Sequence, residues 1–117
     1  VSLFIDASTD QIKMPKEIDA DIVELHTGEF CRKLNYNEDA SSELERIKEA
    51  ADFSNSIGLE LHLGHGITFD SVEELSKIKE VKEFNIGHFI ISESIFIGLE
   101  KSISKFRELI KKGRNIQ

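Results

Sequence analysis

The sequence predicts an α/β fold made of strand–helix units, and three observations support it. Four short runs have the apolar content and length of β-strands: residues 2–5, 21–26, 59–63 and 83–87. A segment of helical length follows each run. Along the last three runs, apolar and polar residues alternate, so that the predicted sheet has one apolar face and one polar face.

The helix starts are predicted from residue pairs with capping-box spacing. In chain order these pairs are Ser8 with Gln11, Ser42 with Glu45, and either Asp70 with Glu73 or Ser71 with Glu74. The first of these helices is the weakest prediction. Pro15 lacks a backbone N–H, and we therefore expect it to end or kink the helix that begins at Ser8.

The helix ends are predicted from glycines and from the loss of apolar periodicity. Gly58 should close the helix that follows Ser42. The last helix should run from about Leu99 to Lys112, because its apolar residues recur at three- and four-residue steps, and Gly113 should stop it. Residues 111–117 are predicted to be a frayed tail.

Connections of helical length favour parallel strands joined by right-handed crossovers. Parallel strands are usually apolar on both faces, yet here Val23 and Leu25 alternate with Glu24 and His26. A closed barrel with outer helices and polar groups near its mouth explains this division. Two alternatives remain: an antiparallel sheet with a solvated face, and an open flavodoxin-like sheet, which would bury Glu24 and His62 without obvious partners.

Composition excludes several classes of function. The 117 residues fit one domain, and 15 basic against 22 acidic residues give a net charge of −7, which disfavours nucleic acid as a partner. A bound phosphate would therefore be held by local backbone amides. No apolar run reaches the roughly 20 residues of a membrane helix. Cys31 is the single cysteine, which excludes an internal disulfide and fits a reduced, cytoplasmic compartment; it is predicted to be a loop thiol.

Polar residues gather where the predicted strands end, and three of the four histidines are among them. In a barrel of strand–helix units, ligands bind at these strand ends. The residues are Asp6, Glu24, His26, Thr27, Gly28, His65, Gly66, Asn85, Gly87 and His88. A histidine is more often a satisfied polar residue than a catalyst, but convergence on one rim strengthens the catalytic interpretation.

Two segments near the strand ends have a predicted role in binding. After Gly87 about ten residues precede the last helix, enough for a short extra helix near 91–98 whose N-terminal amides would point toward the mouth and could hold a phosphate. Gly87 could equally be a simple turn. Residues 28–40 are polar and without periodicity, so they are predicted to be a loop, either a lid or a solvated surface segment.

Four motifs together resemble the pyridoxine 5′-phosphate synthase family: VSLFID at the start, HTG at 26–28, GHGIT at 64–68 and NIGH at 85–88. The resemblance covers nearly the whole chain but implies only the second half of a (β/α)8 barrel, one incomplete domain over residues 1–117. It implies condensation of 3-amino-2-oxopropyl phosphate with 1-deoxy-D-xylulose 5-phosphate, with no metal or organic cofactor. It also implies a homo-oligomer at full length.

By position, the resemblance implies that His65 is the proton donor and that Glu24 stabilises charge during the condensation. Gly66 would contact the aminoketone phosphate, and Gly87 with His88 would complete its cradle through backbone amides. The first half of the barrel would carry further acid–base residues, so the chain is expected to be an inactive fragment by itself. Glu93 departs from the family pattern, since a basic residue is common there.

Two other functions fit the same sequence. A non-catalytic half-barrel could bind phosphorylated metabolites and self-associate to cover its open edges. Another phosphate-binding barrel enzyme would use the Gly87 amides in the same way but would give Glu24 and His65 no particular pairing.

Overall fold

The computed structural model describes residues 1–115, and within them the chain forms four strands and six helices. The strands are β1 (Ser2–Ile5), β2 (Ile22–His26), β3 (Glu60–Gly64) and β4 (Val81–Asn85). The helices are α1 (Thr9–Glu17), α2 (Gly28–Asn35), α3 (Ser41–Ser56), α4 (Phe69–Ser76), α5 (His88–Ile97) and α6 (Leu99–Asn115).

The four strands form one parallel sheet in the order β1-β2-β3-β4. The prediction of parallel strand–helix units is therefore confirmed, and the antiparallel alternative is wrong. The strand order follows the chain without the reversal that marks an open doubly wound sheet. The pairing of β3 with β4 has a register shift between Leu61 and His62.

One face of the sheet is the core of the molecule. Val23, Leu25, Leu61 and Leu63 are at most 1% exposed and pack against the helices. Burying each such side chain contributes about 1.5–3 kcal/mol of transfer free energy. The alternation read from the sequence is thus the alternation of the folded sheet.

The opposite face carries the polar residues of the same strands. The strand register places four residues side by side on this face, namely the apolar Phe4 followed by Glu24, His62 and Glu83. His62 is only 8% exposed, and its Nε2 lies 2.8 Å from a carboxylate oxygen of Glu60, so this buried imidazole has a partner.

The prediction of an aperiodic loop at residues 28–40 is wrong for its first eight residues, which form α2. Phe30 is 3% exposed and Cys31 is 1% exposed, so the helix has a buried side. The Cys31 thiol therefore belongs to the core and not to a loop, and burial raises its pKa.

The predicted stop at Gly113 is also wrong, because α6 continues to Asn115. Gly113 is buried against α4, where a Cβ would overlap Ser76 Oγ and would lie 2.6 Å from the carbonyl oxygen of Glu73. The missing side chain lets two helices approach, and it does not end one. The frayed tail is wrong for residues 111–115; residues 116–117 lie outside the described part.

Several boundaries differ from prediction by a few residues. Helix α1 ends at Glu17, two residues beyond Pro15. Strand β4 ends at Asn85, two residues earlier than expected, and the extra helix α5 therefore starts at His88 instead of near residue 91. Two predicted helix starts also differ, because the N-cap is Ala40 in α3 and Thr68 in α4. Ser8 occupies the N-cap position of α1, but the predicted capping box is wrong: the Ser8 side chain makes no capping hydrogen bond, and Gln11 accepts from the Asp6 N–H instead.

Within residues 1–115, none of the helices combines the length and the apolar character that crossing a membrane requires.

Candidate ligand site at the strand ends

An open cavity of about 450 Å³ lies where β2, β3 and β4 end. Its lining includes the five residues to which the resemblance gave a role, namely Glu24, His65, Gly66, Gly87 and His88. Phe4, Ile67, Thr68, Asn85, Ile86, Phe89 and Ser92 complete the lining. Side chains from β1 and β2 thus meet the β3–α4 and β4–α5 connections around one space.

Glu24 reaches the cavity from the polar face of β2 by crossing over Gly64 of the neighbouring strand. A Cβ at Gly64 would lie 2.6 Å from Glu24 Oε2, so a side chain there would force the carboxylate to move from this position. Beyond it, the Asn85 side-chain amide donates a hydrogen bond to Glu24 Oε1. The sequence placed Asn85 at a strand end but gave no sign that it would contact Glu24.

His65 follows β3 in an uncommon backbone conformation. Its φ is +77° and that of Gly66 is +78°, which places both residues in the left-handed region. For a non-glycine residue this costs roughly 1–2 kcal/mol. The buried Thr27 hydroxyl lies 2.9 Å from the carbonyl oxygens of both Gly64 and His65, and the Thr27 N–H donates to Gly64 O at 2.9 Å. These contacts hold the turn in place.

The exposed His65 ring stacks on His26, with ring centroids 4.2 Å apart and an interplanar angle of 27°. His26 in turn lies beside Phe4, at a centroid distance of 5.3 Å. His26 was noted in the sequence as a strand-end residue, but the stacking depends on the turn at His65, which no sequence pattern revealed.

The N-terminus of α5 forms the third side of the cavity. Gly87 is its N-cap, and Gly87, His88, Phe89 and Ser92 all line the space. The first amides of a helix lack intrahelical acceptors and carry partial positive charge, so they suit an anionic group. In the described part of the chain, Glu93 is half-buried and does not belong to this lining.

A second cavity of about 600 Å³ shares His65 and Gly66 with the first. His26, Arg32 and Tyr36 are among its lining residues. The Arg32 guanidinium pairs with Glu29 at 2.8 Å, and this pairing is the main cause that raises its pKa. Among residues 1–115, no group of three or more histidine, cysteine or acidic residues has the arrangement of a metal site.

The chain is thus a parallel α/β protein whose cavity lies at the carboxyl ends of its strands, where proteins of this class bind their ligands. The family model described as "Pyridoxal phosphate biosynthesis protein PdxJ" matches residues 1–112, and the chain belongs to this family.

Three curated relatives, each named pyridoxine 5′-phosphate synthase, are similar to this chain. The protein of Sulfurihydrogenibium sp. (strain YO3AOP1) is 45% identical over 97% of the chain and 46% of its own length. That of Zymomonas mobilis subsp. mobilis is 44% identical over 97% of the chain and 44% of its own length. That of Pelagibacter ubique is 45% identical over 95% of the chain and 46% of its own length. The chain spans about half the length of these relatives.

Proposed function

We propose that this chain is the second half of a (β/α)8 barrel and that the complete protein is a pyridoxine 5′-phosphate synthase of vitamin B6 biosynthesis. Its substrates would be 3-amino-2-oxopropyl phosphate and 1-deoxy-D-xylulose 5-phosphate. Family membership supports the activity, and the single cysteine fits a cytoplasmic enzyme.

One observation carries the proposal: Glu24, His65 and the start of α5 line the same cavity although they come from different segments of the chain. A condensation that eliminates water and phosphate needs a proton donor, a group that stabilises positive charge, and a site for a phosphate dianion. An imidazole, a carboxylate and free helix amides are groups of these three types.

In the proposed mechanism His65 gives its proton to the oxygen that leaves as water. The Glu24 carboxylate, held by the Asn85 amide, stabilises the cationic nitrogen that forms when amine and ketone condense. The phosphate of the aminoketone lies against Gly66 and against the Gly87 and His88 amides at the start of α5.

The half-barrel interpretation explains the polar face of the sheet. That face carries Glu24 and His62, while the apolar core of the described residues lies on the opposite side of the sheet. A further set of strand–helix units would close the sheet and convert the polar face into the inside of a barrel. We therefore expect the 117-residue chain alone to be inactive. The family resemblance further implies that the complete protein forms a homo-oligomer.

A hybrid enzyme tests the proposal. In it, this chain replaces the matching 114 residues of the Sulfurihydrogenibium relative, and release of pyridoxine 5′-phosphate is measured for the hybrid and for the chain alone. We expect turnover only by the hybrid. His65→Asn in the hybrid should lower turnover by about 10³-fold, within the range for loss of a general acid. Turnover by the chain alone, or full activity of the His65→Asn hybrid, would contradict the proposal.

A second candidate is a non-catalytic half-barrel that binds phosphorylated metabolites as a self-associated dimer. The exposed apolar side chains of Ile95 and Phe96, 79% and 82% exposed, favour some covering partner. Mass measurement and phosphate titration of the chain separate the two. A stable symmetric dimer that binds inorganic phosphate, together with an inactive hybrid, would favour the second candidate.

A further inference from the structure

We infer that His26 is a positioning residue that fixes the ring of His65. The stacking itself is independent of the reaction, whereas its importance for turnover rests on the proposed function. The two parts are therefore tested by different measurements.

The first support is the geometry of the two rings. Their centroids lie 4.2 Å apart and their planes are inclined by 27°, which is close to offset stacking. His65 is an exposed residue at a turn, and such a side chain would otherwise sample several rotamers. The His26 ring restricts it from one side, while the cavity that contains Glu24 lies open to it.

The second support is the anchoring of His26 itself. Its Nδ1 lies 3.1 Å from the backbone nitrogen of Gly28, whose N–H donates to it. Nδ1 is therefore the acceptor nitrogen, and the proton of the neutral ring is on Nε2. Phe4, with its ring centroid 5.3 Å from that of His26, packs beside the same imidazole. His26 is thus fixed by a backbone hydrogen bond and a neighbouring ring, as a support should be.

The third support is Gly28, which makes room for both imidazoles. A Cβ there would overlap His26 Cε1 and would lie 2.8 Å from His65 Cδ2. The φ of Gly28 is not in the left-handed region that favours glycine. The absence of a side chain at position 28 is therefore explained by the space that the two rings need.

Together with Thr27, these contacts fix His65 at two points. The Thr27 hydroxyl lies 2.9 Å from the His65 carbonyl oxygen and holds the backbone turn, while His26 holds the ring. A proton donor must stay within a few tenths of an ångström of its productive position to be effective. His26 and Thr27, which are consecutive in the HTG segment, would thus both hold His65 in place.

The ring contact is measured by NMR on the chain, using histidine ring carbon–proton correlations assigned with a His65→Asn variant. An aromatic ring stacked on another shields its protons. We expect His26→Ala to remove this shielding from His65 and His26→Phe to retain it. Gly28→Ala should also remove it, without deleting either imidazole. Unchanged His65 resonances in both His26→Ala and Gly28→Ala would overturn the inference.

The consequence for turnover is measured in the hybrid enzyme. His26→Ala and Gly28→Ala should each lower kcat by about tenfold to a hundredfold, with KM for the aminoketone phosphate changed by less than about threefold, because the acid is misplaced while the phosphate cradle is intact. His26→Phe should recover most of the lost kcat. Tyr36→Ala is the control, since Tyr36 lines the same second cavity but is 72% exposed.

The outcomes distinguish the two claims. A hybrid with no turnover overturns the proposed function, and the NMR measurement then still decides whether His26 orients His65. An active hybrid whose kcat is unaffected by His26→Ala, or whose kcat falls as much in Tyr36→Ala, overturns the positioning role.

Discussion

The two faces of the sheet are built from the same strands and have opposite properties. On the helix-covered face, Leu25 and Leu63 are fully buried and contact other apolar residues. On the other face, Glu24 and His26 are half-buried and contact polar groups and rings. Because neighbouring residues of a strand point to opposite faces, residues that stabilise the core alternate with residues that reach the candidate site.

This division means that adjacent residues should fail in different ways when they are changed. Leu63 and Gly64 are consecutive on β3, yet one belongs to the core and the other lies beneath the Glu24 carboxylate. Substitutions at such pairs test most directly whether the two faces have separate roles.

The largest expected effect is on stability, from Leu63→Ala. Removing a fully buried leucine leaves a cavity among packed neighbours, and we expect the free energy of unfolding to fall by about 3 kcal/mol. Urea unfolding followed by circular dichroism measures it. Ser2→Ala, at an exposed position of the polar face, is the control and should change stability by less than about 0.5 kcal/mol. Equal losses in both variants would contradict a one-sided core.

Gly64→Ala should lower turnover strongly and stability only weakly, whereas Leu63→Ala acts mainly on stability. The new Cβ would displace Glu24 from beside Asn85, and we expect hybrid turnover to fall by about 10²-fold, which corresponds to about 2.7 kcal/mol of transition-state stabilisation. The unfolding midpoint should change much less than in Leu63→Ala. If Gly64→Ala unfolds the chain as readily as Leu63→Ala and keeps its activity, the division between the faces is wrong.

A third prediction concerns the helix layer. Gly113→Ala should destabilise the chain by about 2 kcal/mol, because the added methyl group meets Ser76 and the Glu73 carbonyl where α6 packs on α4. Lys111→Ala, at an exposed position of the same helix, should leave the unfolding midpoint nearly unchanged. A more stable Gly113→Ala variant, as expected for glycine in an exposed helix, would show that the two helices do not touch there.

The smallest expected effect is a pH dependence from Cys31. Burial raises the pKa of this thiol, so the folded chain keeps the proton at a pH where the unfolded chain loses it. The stability that the neutral thiol contributes is fully present below the ordinary cysteine pKa of about 8.5 and is lost as the pH rises above it. We therefore expect the free energy of unfolding, measured with urea and reductant, to fall more between pH 7 and pH 10 in the parent than in Cys31→Ala. Equal losses would contradict this.

The sequence predicted the sheet well because alternation is a local property. The positions of Val23, Leu25, Leu61 and Leu63 follow from period-two patterning, and the core has them all. Helix α2 was missed because glycine at its start and many polar residues hid a short apolar side formed by Phe30, Cys31 and Leu34. Eight residues are too few for periodicity to stand out.

The residues of the candidate site could be predicted from the sequence, but the contacts between them could not. Strand ends of parallel units meet, which is why Glu24, His65 and Gly87 could be expected in one place. The left-handed turn at His65 and the passage of Glu24 over Gly64 depend on neighbouring strands. Gly113 was misread for the same reason, since only the packed structure shows Ser76 opposite it.

The location of His65 between two cavities has a practical consequence for mutagenesis. His65 lines, together with Gly66, both the space beside Glu24 and the space beside Arg32. Truncation to alanine would therefore change the shape of both open spaces as well as remove the imidazole. A planar substitute such as asparagine keeps more of the side-chain volume, and so reports more cleanly on the loss of the proton donor itself.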